Sequence, residues 1–231
     1  MKSMKVLPKT LLFFYLIPYL VGLFFTALYC LGEVFFWQSL WLEEWMVGIP
    51  AFLSEYILFM TVYAFFGICA YFIFFGKMWQ KIVVPVISVV CAFLFPSLRY
   101  LLRHVICGPH LDDLTMYDMY ADDVAAGILL ASYCIIALLV ILMERAYYAW
   151  ILRETPVNDK RTFSPRHPVG LTMLLFFAGI FVWTLVEYVL MMEYSLSSIL
   201  LLLLELVIDV AGFWVATLAA GAVSKWHAKQ N

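Results

Sequence analysis

Charge is what this sequence has least of. Only 13% of its 231 residues are Asp, Glu, Lys or Arg, while 66% are hydrophobic. An ordinary soluble domain carries about 25% charged and about 45–50% apolar residues. So few charges cannot cover a soluble fold of this size, whereas lipid accepts apolar side chains on the outside of a bundle. A basic surplus is missing as well. The net charge is -2, and no basic patch of the kind that tracks phosphate backbones is present, so nucleic acid is not an expected partner.

Several motifs are absent, and each absence removes a class of function. The five cysteines, Cys30, Cys69, Cys91, Cys107 and Cys134, form no C-x-x-C, which argues against a dithiol redox motif or a zinc finger. Three of them lie in apolar runs, where cysteine acts as a small hydrophobe. No G-x-S-x-G, H-E-x-x-H or phosphate-binding loop occurs, and no cofactor is expected. Glu43-Glu44 begins like the E-E-x-x-x-R signature of an intramembrane protease family, but Gly48 stands where the arginine belongs. No internal repeat, low-complexity tract or soluble domain is visible, so residues 1–231 read as one transmembrane domain.

What the chain has instead is long apolar runs. Six of them, at about 11–31, 49–75, 82–102, 124–143, 169–191 and 199–223, reach the ~20 residues a helix needs to cross a bilayer. Lys2, Lys5 and Lys9 ahead of the first run imitate a signal peptide. That run exceeds the usual h-region of about 7–15 residues, and no small-x-small cleavage site follows, so it reads as a retained span.

With the N-terminus inside, twelve of the fourteen basic residues fall on the cytoplasmic side; only Arg99 and Arg103 lie toward the outside. The positive-inside rule then gives both ends cytoplasmic. The expected architecture is an all-α polytopic membrane protein, a six-transmembrane-helix bundle with N-in/C-in topology, in the plasma (cytoplasmic) membrane. Its first partner is the lipid bilayer.

Trp37, Trp41 and Trp45 recur at helical spacing in the first outer loop. They fit an interfacial aromatic helix or a lid over a cavity.

The ionisable residues inside the spans are the candidate site. A charge near the bilayer centre costs about 2.5–3.5 kcal/mol on insertion scales, so such residues face the bundle or a wet cavity. Glu55, Arg99, Glu187, Glu205 and Asp209 all sit in the outer half of their spans, with Asp209 the deepest. In the sixth span Glu205, Asp209, Gly212, Ala216 and Ala220 make one stripe with a period near that of a helix. Small residues let a neighbouring backbone approach, so the stripe should face protein; Leu203, Val207, Val210 and Trp214 fall on the lipid side. Glu205 and Asp209, four residues apart, repel if both are charged, so one holds a proton or the two share a cation. Pro96 stands three residues before Arg99 and is expected to kink the third span.

Two readings follow. In one, these five residues line an outward-facing cavity for a cation, a proton or a cationic solute. In the other, Arg99, Glu187 and Glu55 snorkel to the outer interface, while Glu205 and Asp209 hold helices together.

A second constellation, Arg103, His104, Cys107, His110, Asp112, Asp113, Asp118, Asp122 and Asp123, lies between the third and fourth spans. His104, Cys107, His110, Asp112 and Asp113 are weak metal-ligand candidates, matching no established zinc spacing. The alternative is a solvated acidic loop, with Asp122 and Asp123 at the start of the fourth helix. A disulfide between Cys30 and Cys107, both near the outer face, stays open.

The expected function is a transport component: a small permease, a permease subunit working with a separate ATPase or other membrane subunit, or an ion-coupled carrier. The alternatives are a non-catalytic accessory, sensor or immunity protein, and a membrane enzyme using the outer loop from His104 to Asp123.

Overall fold

Helix accounts for nearly all of what the structure, a computed structural model, describes: residues 6–36, 47–110, 113–147, 149–150, 168–191 and 196–229. No strand occurs among them. Helix α1 is built from Val6–Leu11, a π-turn over Leu12–Leu16, and Ile17–Phe36. It is followed by α2 (Ile49–Phe75), α3 (Met78–Cys107), α4 (Asp113–Tyr147), α5 (Pro168–Met191) and α6 (Leu196–Ala228). The tryptophan-rich segment 37–46 and the prolines Pro156 and Pro165 lie outside the described residues.

Among the described residues, four stretches are long and apolar enough to cross a membrane: Val6–Phe35, Ile49–Phe75, Met78–Cys107 and Leu202–Ala228. At about 1.5 Å per residue, each exceeds the ~30 Å hydrocarbon core. The expected spans 124–143 and 169–191 fall within α4 and α5.

The distribution of side chains supports the membrane assignment more strongly than length does. On α1 the buried face is Tyr15, Tyr19, Gly22, Thr26, Cys30 and Glu33; the exposed face carries Leu12, Phe13, Leu16, Leu20, Phe24 and Leu31. On α3, Gln80, Ser88, Ala92, Arg99 and Arg103 are buried, while Ile82, Val86, Val90, Phe93 and Leu101 are exposed. This is the reverse of a water-soluble helix, whose apolar stripe turns inward. Lipid offers no hydrophobic reason to hide a leucine, so packing faces become small and polar instead.

Local chemistry sets the helix breaks. Pro18 has no N–H to give the turn behind it, and the π-turn ends just before it, with the Ile17 N–H bonded to the Leu12 carbonyl five residues back. Between α2 and α3, the Gly76 N–H bonds the Phe72 carbonyl at 2.8 Å. A Cβ at Gly76 would overlap that same oxygen. The Lys77 N–H then donates to Gln80 Oε1 at 2.9 Å, capping the start of α3. Gly108 ends α3 through a bond to the His104 carbonyl at 3.1 Å. Pro168 opens α5, where a missing N–H costs nothing.

The expected outer loop from Arg103 to Asp123 needs correction. Helix α3 runs on to Cys107 and α4 already begins at Asp113. Arg103, His104 and Cys107 are therefore helical, as are Asp118, Asp122 and Asp123, the last two being well inside α4 rather than at its N-terminus. Hydropathy falls before the backbone hydrogen bonding does, so the helices outrun the apolar runs.

The chain resolves into two compact units: residues 4–62 with 86–135, here the amino-terminal unit, and residues 1–3, 63–85 and 136–231, the carboxy-terminal unit. In the amino-terminal unit α1 is held by hydroxyls. Tyr15 Oη and Ser88 Oγ lie 2.7 Å apart, Thr26 Oγ1 and Ser54 Oγ 2.7 Å, and the Tyr19 hydroxyl donates to the Cys91 carbonyl. Gly22 faces the Phe95 ring. In the carboxy-terminal unit the core is aromatic. Phe66 stacks on Phe176 with centroids 4.1 Å apart, and Phe177 meets Phe213 edge-on at 5.6 Å. Here α2 and α6 approach closely enough that a Cβ at Gly67 would overlap the Ala216 carbonyl.

Candidate functional site

On α6 the expected stripe of small and polar residues is largely buried. Asp209, Gly212, Ala216 and Ala220 are buried, while Leu203, Val207, Val210 and Trp214 are exposed. Glycine at 212 leaves room for the Tyr63 ring, and this contact brings the Tyr63 hydroxyl beside Asp209. Only the first member of the stripe departs from it: Glu205 is exposed.

Asp209 is 9% exposed and takes hydroxyl donors on both carboxylate oxygens. Tyr63 Oη on α2 is 3.3 Å from Oδ1, and Thr184 Oγ1 on α5 is 3.4 Å from Oδ2. Three helices therefore meet at one carboxyl group inside the carboxy-terminal unit. Among the described residues, no basic side chain contacts it. A hydroxyl both donates and accepts. Tyr63 and Thr184 can thus serve Asp209 whether it is charged or protonated, a versatility that a lysine or arginine partner would lack.

The amino-terminal unit handles charge differently. Arg99 Nη2 lies 3.2 Å from Glu55 Oε1; the arginine side chain is 6% exposed and the glutamate 54%. One turn on, the Arg103 guanidinium sits 5.1 Å over the Tyr29 ring centroid, within cation–π range. Arg103 is 4% exposed and Glu33, near the end of α1, 9%. The cations here are buried against a carboxylate and an aromatic face.

Of the five expected site residues, Glu55 and Arg99 are thus paired in the amino-terminal unit. Asp209, Glu205 and Glu187 belong to the carboxy-terminal one, with the Glu187 side chain outside the described residues. Three participants, Tyr63, Thr184 and Glu33, are not singled out by the sequence, and Arg103 is placed by it in a loop rather than over the Tyr29 ring. Tyr63 and Thr184 carry no charge, so a search for ionisable groups passes over them. Glu33 and Arg103 lie beyond the expected span ends and read as loop residues. The signal available for Arg103 was its spacing of four residues from Arg99 on a continuing helical pattern.

No protein-family model matches the chain, and neither a curated protein nor a solved structure resembles it.

The metal candidates do not gather among the described residues: no three His, Cys, Asp or Glu side chains there are placed to hold an ion. Cys107 is buried against Cys30, while His104 and His110 are exposed and His104 stacks on Tyr100. Asp112 and the Asp113 side chain lie outside the described residues.

At Pro96 the α3–α4 contact opens into a cleft of about 290 Å³, lined by Phe93, Pro96, Tyr100, Tyr120, Val124 and Ile128. Its walls are mainly aromatic and aliphatic, with Ser97 among them, and none of the five expected site residues lines it.

Proposed function

We propose that the protein is a transport component of the cytoplasmic membrane, a six-span carrier with both termini inside, whose working group is Asp209. The reading that Asp209 supports best is proton-linked movement of a monovalent cation or small cationic solute. The observation that carries it is a carboxyl group, buried in a bundle with lipid-facing apolar sides, held among the described residues by two hydroxyls rather than by a cation. Such a group can exchange a proton without rebuilding its surroundings. A carboxylate that only tied helices together would work equally well as an amide.

That difference supplies the test. Everted vesicles containing the protein are loaded with a proton gradient reported by an acridine dye. Sodium, potassium and tetraethylammonium are then added in turn. At least one cation should dequench the dye in wild-type vesicles, and Asp209→Asn should abolish the response at equal protein level. Equal responses from wild type and Asp209→Asn for every cation would leave Asp209 as a packing residue and favour the accessory reading. The permease-subunit version differs in needing a separate ATPase, and its transport would stop when ATP is withheld.

A further inference from the structure

The end of the amino-terminal unit that holds Arg103 and Glu33 also holds two thiols. Cys30 lies on the buried stripe of α1, and Cys107 is the last residue of α3. Both are 0% exposed. Cys107 Sγ donates to the Cys30 carbonyl oxygen at 3.7 Å, and the two thiols are close neighbours. The next residue, Gly108, stops α3, so the Cys107 side chain is presented from a defined helix end.

We propose that Cys30 and Cys107 are an oxidation site, joined in the mature protein by a disulfide that staples the end of α1 to the end of α3. Both helices run outward in the N-in orientation, so the inference rests on that orientation, which puts the pair in an oxidising compartment. The reaction is thiol–disulfide exchange with a disulfide-bearing thiol oxidase of that compartment. One cysteine, as thiolate, attacks the oxidase disulfide to give a mixed disulfide, and the second displaces the oxidase. Cys30 and Cys107 lose two electrons and two protons in all; the oxidase takes both electrons and leaves as a dithiol. Because the folded unit buries both sulfurs, oxidation precedes closure of the helices. Afterwards the bond is shielded from reductants in solution.

Two arms test this. Full-length protein is denatured from cells in the presence of N-ethylmaleimide without reductant, then reduced and treated with a PEG-maleimide. Two additions are expected in the wild type and none in Cys30→Ser or Cys107→Ser. In the second arm, His110→Cys in a cysteine-free background reports which side the exposed turn faces. An impermeant maleimide should label it in intact cells. Labelling of that reporter together with zero PEG additions in the wild type overturns the disulfide while leaving the orientation standing. Labelling only after permeabilisation overturns the orientation and the disulfide with it. PEG additions that persist in the Cys30→Ser, Cys107→Ser double variant would assign the bond to other cysteines.

Discussion

The two units treat buried charge in opposite ways. In the amino-terminal unit Arg99 has the Glu55 carboxylate at 3.2 Å and Arg103 has the Tyr29 ring. In the carboxy-terminal unit Asp209 has only hydroxyls among the described residues. An ion pair ties its members to one protonation state, because moving a proton strips one charge of its partner. A carboxyl among hydroxyls carries no such penalty. The first arrangement suits architecture, and the second suits proton exchange.

This contrast can be broken by substitution. The largest effect is expected from Gly67→Leu in the carboxy-terminal unit. There the new side chain meets the Ala216 backbone, which has no rotamer by which to retreat. Overpacking of this kind costs about 3 kcal/mol or more. The detergent-solubilised protein should lose its monodisperse peak in size-exclusion chromatography; an unchanged peak would mean the two helices are not so close.

Next come the hydroxyls. Tyr63→Phe and Thr184→Val each remove one long hydrogen bond to Asp209, at 3.3 and 3.4 Å, an interaction worth about 0.5–1.5 kcal/mol. Transport rates should fall by up to about tenfold with little change in thermal midpoint. If Asp209 only packs helices, the midpoint should drop and any transport should persist.

The matching change in the amino-terminal unit is Gly22→Ala. Its Cβ would stand 2.9 Å from the Phe95 ring edge. A ring can tilt away, so the cost should be about 1 kcal/mol, read as a small fall in thermal midpoint with transport intact.

The smallest effect belongs to Glu55→Gln. The glutamate side chain is 54% exposed, and half-exposed ion pairs contribute about 0–1 kcal/mol. Transport equal to wild type is expected. A loss comparable to that of Asp209→Asn would erase the distinction between the units.

Much of this was legible in the sequence, and for a physical reason. On a membrane helix the packing face is marked by small and polar residues at a period near 3.6, so Asp209, Gly212, Ala216 and Ala220 announced their common face without any structure. The burial of Asp209 was legible too, because an aspartate inside an apolar run stands out among leucines and is expected to face protein. Its partners were not. Tyr63 lies 146 residues away and Thr184 25, and no periodicity within one helix encodes which neighbour it meets. Helix ends were misjudged for a related reason. Arg103 and Asp118 look like loop residues by hydropathy, but both lie inside helices. The Cys30–Cys107 pair was named from the expected topology, but only the approach of α1 to α3 brings Cys107 Sγ to within 3.7 Å of the Cys30 carbonyl.

The most direct check of the central claim is an infrared difference spectrum of the reconstituted protein across a pH step, recorded for wild type, Asp209→Asn and Glu55→Gln. The wild type should show a carboxyl C=O band that appears and disappears with the step, is retained in Glu55→Gln, and is missing from Asp209→Asn. A difference spectrum from Asp209→Asn indistinguishable from that of the wild type would mean that Asp209 does not exchange a proton.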